Sequence, residues 1–311
     1  MKKIMKFIKV FLMLSMVFTG VLSGQAVRAN EGKPKVTTTT SFLYDMTQEL
    51  AGDLVDIELV IPHGEDPHLY SANPKDLEKI QNNDLLLYHG LHFEGKMVPI
   101  LEERGKAVTD TFKEDKLLKM EEDSVTVTDP HFWFDIELYK EAAINAGQYF
   151  KELLPDKKEE IQKNLDQYLN QLDELKEYAE KRIQEIPQEQ RYLVTPHDAF
   201  NYFSRSYGIE VVSPQGVSTE SEVSSSDIEE TAQFIVDHKV PAIFVESTTN
   251  PDRMKKLQEV CKAKGYEVAV VSGEDQELLS DSLAQPGQDG DTYLTMYKHN
   301  VDLIVDYLTQ K

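Results

Sequence analysis

Four of the eight histidines directly follow a proline, in the pairs Pro62-His63, Pro67-His68, Pro130-His131 and Pro196-His197. Three of them, within Asp66-Pro67-His68, Asp129-Pro130-His131 and Thr195-Pro196-His197, recur about 65 residues apart, a spacing that reads as three loops converging on one ion. A single such pair is ordinary loop punctuation; the regular recurrence is what points to chemistry. Proline fixes its own φ and stiffens the loop that presents the next side chain, which suits a ligand held in place before a metal arrives. Neutral imidazole suits zinc and, to differing degrees, copper, nickel and manganese, and a carboxylate would complete a four-ligand cage. Spacing does not choose that carboxylate. Asp66, Asp129, Asp135, Asp198, Glu246, Asp281 and Asp291 all lie near turns or strand ends, where most are solvated or orient imidazoles.

The elements that must position these loops alternate between strand and helix. Lys35–Thr40 reads as a strand, Phe42–Leu50 as a helix, and Val55–Ile61 as a second strand. Asn73-Pro74 then reads as an N-cap with proline at the first helical position, opening Lys75–Gln81, and Leu85–Tyr88 is a fully apolar strand. The same order returns as strand Tyr192–Thr195, helix Ala199–Tyr207, strand Ile209–Val212, helix Asp227–His238 and strand Ala242–Val245. Even the turns match, with Ala51-Gly52 in the first copy and Tyr207-Gly208 in the second. Such alternation predicts parallel βαβ units in both halves. The expected fold is α/β, two (β/α) lobes with parallel sheets. Between Pro155 and Pro187, apolar residues fall at steps of three and four from Ile161 to Ile186, which predicts one long connecting helix. About 30 residues at about 1.5 Å each would give about 45 Å, enough to run along both lobes. The expected organisation is a signal peptide at 1–29, an N-terminal lobe at 30–154, the connecting helix at 155–187 and a C-terminal lobe at 188–311. Ligands of open α/β sheets gather outside the carboxyl ends of the strands. His68 and His197 each follow a strand, and His131 precedes the apolar Phe132-Trp133-Phe134, so the three imidazoles have a common address in the cleft between lobes.

Bulk composition narrows the class of function. Residues 1–29 carry five of the 33 basic side chains and no acid, with an apolar run from Phe11 to Leu22. That run is short for a membrane span, and Val27-Arg28-Ala29 approximates a cleavage site, so this is a secretory signal peptide. Val21-Leu22-Ser23-Gly24 approaches the pattern of a lipoprotein cleavage site, but Gln25 stands where a lipidated cysteine is needed. The remainder holds 28 basic residues against 55 acids, a net charge near −27, which excludes nucleic acid as a natural partner and favours cation approach. Cys261 is the only cysteine, so no intrachain disulfide forms and a zinc site of several thiolates is excluded; it reads as a helix-packing residue.

From Lys35 onward the chain resembles the solute-binding proteins of metal-ion ABC importers, the TroA-like group that captures zinc or manganese. The likeness rests on Gly64-Glu65-Asp66-Pro67-His68, Tyr88-His89-Gly90-Leu91-His92-Phe93-Glu94, Asp129-Pro130-His131-Phe132-Trp133, Thr195-Pro196-His197-Asp198-Ala199-Phe200, Gln215-Gly216-Val217-Ser218-Thr219 and Leu279-Ser280-Asp281-Ser282-Leu283. The resemblance implies metal ligation by His68, His131, His197 and Asp281, with one ion per chain. It also implies a membrane permease and its cytoplasmic ATPase as partners, and no small organic substrate. Manganese relatives often place a glutamate where this chain has His197, which favours zinc here, with manganese as the alternative. Against that, Lys106–Asp129 lacks the histidine-rich loop of many zinc-uptake relatives.

His63 and His92 lie close enough to the site loops to support it, whereas His89, His238 and His299 read as structural or exposed, and Trp133 as a packing anchor. The leading expectation is a non-enzymatic, monomeric, extracytoplasmic receptor. A secreted zinc hydrolase is the rival, since catalytic zinc commonly keeps three protein ligands and a water; the chain has no His-Glu-x-x-His, and Asp281 in the fourth position would leave no place for the water. A surface adhesin has no sequence feature behind it.

Overall fold

The computed structural model describes residues 32–122, 125–273 and 275–309; the signal peptide read over residues 1–29 lies outside them. The first half builds a four-stranded parallel sheet in the order β2-β1-β3-β4, from β1 (Lys35–Thr38), β2 (Asp56–Leu59), β3 (Leu85–Tyr88) and β4 (Lys106–Ala107). Helices α1 (Ser41–Leu50), α2 (Pro74–Gln81) and α3 (Val98–Arg104) make the crossovers. Asn73 caps α2 and Asp76 answers it in a reciprocal capping box, with Pro74 at the first helical position, so the local signal and the observed start agree.

The second half repeats the theme. β7 (Tyr192–Val194) pairs in parallel with β8 (Glu210–Val212), and β9 (Ala242–Phe244) with β10 (Ala269–Val271). β7 lies beside β9, and α6 (Asn201–Tyr207), α7 (Ser225–His238) and α8 (Asp252–Ala263) connect them. Gly52 and Gly208 take φ of 42° and 66° in the matching turns, which is why glycine recurs there. α7 starts two residues before its sequence estimate because Ser224 and Asp227 form a capping box.

The long connecting helix is α5, Lys158–Ile183, 26 residues and about 39 Å. It is shorter than expected because Pro155–Lys157 forms a separate 3-10 turn and the helix ends at Ile183, before Pro187. Its buried stripe, Ile161, Leu165, Tyr168, Leu172, Leu175, Ala179 and Ile183, packs against α4 (Ile136–Leu153) and the final helix α9 (Tyr293–Leu308). One apolar core runs through both halves, taking in Phe42, Trp133, Leu165, Phe200, Phe244 and Met296. The described residues from Pro34 onward form one compact unit. An antiparallel hairpin, β5 (Lys119–Glu122) with β6 (Val125–Thr128), precedes His131. Cys261 is fully buried on α8 beside Leu257 and Val268.

Candidate metal centre

Each of the three spaced histidines sits on a loop leaving the carboxyl end of a strand. His68 follows β2, His131 follows β6, and His197 follows β7. After β10 the chain makes an isolated parallel bridge between Glu246 and Leu278, which delivers Asp281 to the same place. All four side chains are buried, His68 at 3% exposure and the others at 0%. One ligand atom from each of His68, His131, His197 and Asp281 lies within 4.8 Å of every other.

The approach is closest at Asp281, whose Oδ1 stands 3.4 Å from His131 Nε2 and whose Oδ2 stands 3.2 Å from His197 Nε2. Ligands about 2.05 Å from a tetrahedral ion stand about 3.3 Å apart. Imidazole ring centroids lie 5.4 Å apart for His68 and His131, 6.1 Å for His68 and His197, and 5.3 Å for His131 and His197. Among the described residues, the Nε2 atoms of all three histidines and Oδ1 of Asp281 are buried with no well-formed hydrogen bond, the 3.4 Å approach of His131 Nε2 to Asp281 Oδ1 being an ion-pair contact only. An unsatisfied buried polar atom costs about 1 to 3 kcal/mol, and four such atoms facing one point fit a cation that would accept all their lone pairs.

The opposite ring edges are held by carboxylates. His131 Nδ1 lies 2.8 Å from Asp129 Oδ1, which also accepts the His131 amide at 2.9 Å. Asn201 donates to the other Asp129 oxygen at 3.0 Å. His197 Nδ1 pairs with Glu246 Oε2. Such bonds fix the tautomer, leave Nε2 free for an ion and raise ligand basicity. His68 is steadied through its backbone instead: its amide donates to Asp66 Oδ1 at 2.9 Å, and Thr219 donates to Asp66 Oδ2 at 2.6 Å.

These partners divide the imidazoles electrostatically. Burial, with help from the neighbouring rings, drives His68 down to about 3, so it is neutral. Burial pushes His131 the same way, but Asp129 and Asp281 outweigh it and lift His131 to about 9. His197 follows that pattern under Glu246 and Asp281. Burial would raise the Asp281 carboxyl, yet His197 and His131 hold it well below the usual carboxylate range.

The chain from residue 36 to 307 matches the family model "Zinc-uptake complex component A periplasmic". It is 39% identical over 292 residues to the zinc-binding protein TroA of Treponema pallidum, covering 92% of each chain. The chain belongs to this family. Against the manganese-binding lipoprotein MntA of Bacillus subtilis it is 32% identical over 302 residues, covering 96% of this chain and 97% of the other. A solved structure in a study of metal-binding specificity in TroA is 58% identical with a TM-score of 0.88, covering 89% of this chain and all of that one. The solved periplasmic zinc-binding protein TroA of Treponema pallidum superposes with a TM-score of 0.85 over 90% of this chain. The family's α/β architecture of two lobes, parallel sheets and a long linking helix is therefore shared here.

The remaining histidines do not reach the centre. His63 Nδ1 lies 2.9 Å from the Ala284 carbonyl and joins the His68 loop to the Asp281 loop. His92 is exposed, His238 lies against Phe234, and His299 pairs with Asp289. His89 is fully buried, 2.7 Å from the Thr40 hydroxyl. Trp133 does more than fill space: its indole N–H donates to the Ser280 carbonyl at 2.9 Å. A cavity of about 500 Å³ lined by Asp198, Gln215 and Glu230 opens nearby, and none of the four converging side chains lines it.

Proposed function

We propose that this protein captures one divalent transition-metal ion outside the cytoplasm through His68, His131, His197 and Asp281, and delivers it to the permease of an ABC importer. The observation that carries this reading is the meeting of four buried, unpartnered ligand atoms within 4.8 Å. Its family consists of solute-binding proteins, among them zinc-binding and manganese-binding members. That membership supports a permease with its ATPase as the receiving partner.

Zinc is the favoured cargo. Three imidazoles and one carboxylate form a borderline-soft set that matches zinc better than manganese, which prefers oxygen. Manganese is the second reading, favoured by the manganese-binding relative. A hydrolase would need an open coordination position, whereas the approach of Asp281 to 3.4 Å from His131 and 3.2 Å from His197 supports its use as a fourth ligand. We assign the lobes to 30–154 and 188–311, with 155–187 between them, and the working unit to a monomer released from its signal peptide.

Calorimetric titration of chelator-stripped protein with zinc and with manganese tests the reading. One equivalent of zinc should bind tightly, and His68→Ala or His197→Ala should lower affinity sharply while the metal-free fold survives. Weak heats shared by the wild type and both variants would refute it.

A further inference from the structure

The turn that follows β3 is strained, and it leans on His68. Gly90, Leu91, His92 and Gly95 have φ of 87°, 55°, 63° and 44°. Leu91 and His92 are non-glycine residues in the left-handed region, each at a cost of about 1 to 3 kcal/mol that surrounding structure must offset. Glu94 supplies the restraint from within. It is fully buried, and its Oε1 accepts the His89 amide at 2.6 Å and the Thr39 hydroxyl at 2.8 Å. The Thr109 hydroxyl donates to the His89 carbonyl at 2.7 Å and pins the other edge.

Two residues flanking Glu94 meet His68. The Phe93 ring stands edge-on to the imidazole with centroids 5.0 Å apart. Gly95 approaches the backbone so closely that a Cβ there would lie 2.2 Å from the His68 carbonyl oxygen. The Asp129 and Glu246 carboxylates orient His131 and His197 by direct contact. His68 instead has an aromatic wall against its ring and a bare Cα against its backbone carbonyl, both carried by the turn that Glu94 clasps.

We propose that Glu94 is a positioning residue for His68: by clasping the turn from His89 to Gly95 onto Thr39, just past β1, it sets where that imidazole stands and so tunes metal affinity without touching the ion. This rests on the reading of His68, His131, His197 and Asp281 as the metal centre.

Glu94→Leu keeps a side chain of similar bulk but removes the oxygen that accepts the His89 amide and the Thr39 hydroxyl. Gly95→Ala reaches the same contact from the other side and leaves the carboxylate intact. Zinc affinity is read by competition with a chromophoric chelator, and ligand geometry by the visible d–d absorption of the cobalt(II)-loaded protein. Both variants should bind zinc about 10- to 100-fold more weakly, as for other residues that orient ligands, and their cobalt bands should shift and change intensity. A variant that melts at lower temperature yet keeps wild-type affinity and a wild-type cobalt spectrum shows a purely structural role and overturns the proposal. Should Gly95→Ala fail to fold, Glu94→Leu decides alone. Failure of the wild type to take up zinc or cobalt would instead refute the metal-centre reading.

Discussion

Trp133 donates its indole N–H to the Ser280 carbonyl at 2.9 Å, which ties the residue two beyond His131 to the residue just before Asp281. Two ligand candidates about 150 positions apart in sequence are thereby held by one buried bond. The loop carrying Asp281 is fastened elsewhere too. Leu283 donates its amide to Ser41 at 2.9 Å, and Gly64 donates to Ser282 at 2.8 Å.

Trp133→Phe removes the donor while keeping an aromatic body in the core. The Ser280 carbonyl is then left buried and unsatisfied, so the metal-free protein should lose about 1 to 3 kcal/mol in urea unfolding. Zinc affinity should fall as well, since Asp281 is less well held. Unchanged unfolding and unchanged affinity would show that the bond is dispensable.

Asp129→Asn and Glu246→Gln should each weaken zinc binding by about 10- to 100-fold, because the imidazole loses the carboxylate that fixes its tautomer and raises its basicity. Chelator competition gives the ratio directly. Wild-type affinity in both variants would mean that the carboxylates are not orienting the rings.

The alternation of strand and helix was legible because each half carries short apolar runs separated by capped helices, and α5 because its apolar stripe has the helical period. The β5–β6 hairpin was not, since Lys119-Met120-Glu121-Glu122 has neither apolar alternation nor a glycine turn. The histidines stood out through their prolines. Asp281 did not, as 55 acidic residues offer no contrast, and only the likeness to a known family singled it out. The pairing of His197 with Glu246 joins loops after different strands, so no local pattern encodes it.

Proton linkage gives opposite signs for fold and cargo. In the metal-free protein His131 keeps its proton up to about 9, whereas an unfolded imidazole releases it near 6.5. Its contribution to metal-free stability is full below about 6.5 and is lost as pH rises through about 9. Ligation requires that proton to leave, so zinc affinity should increase across the same interval. Glu246 and Asp281 also hold His197 above the usual imidazole range, which acts in the same direction. Titrations at pH 7.5 in buffers of different ionisation heat should report net proton release on zinc binding; a heat independent of buffer would contradict this.

His197→Glu replaces one nitrogen ligand by oxygen. Zinc affinity relative to manganese should fall by about tenfold, or about 1.4 kcal/mol, because hard oxygen suits manganese. Paired zinc and manganese titrations measure the ratio, and an unchanged ratio would remove residue 197 as the selector.

Zinc K-edge X-ray absorption of the loaded protein tests the ligand set most directly. The expected result is a low-coordinate zinc with three imidazole nitrogens at about 2.0 to 2.1 Å and carboxylate oxygen completing the shell, with one imidazole signature lost in each of His68→Ala, His131→Ala and His197→Ala. A shell of six oxygens, or a spectrum that none of these substitutions alters, would contradict it.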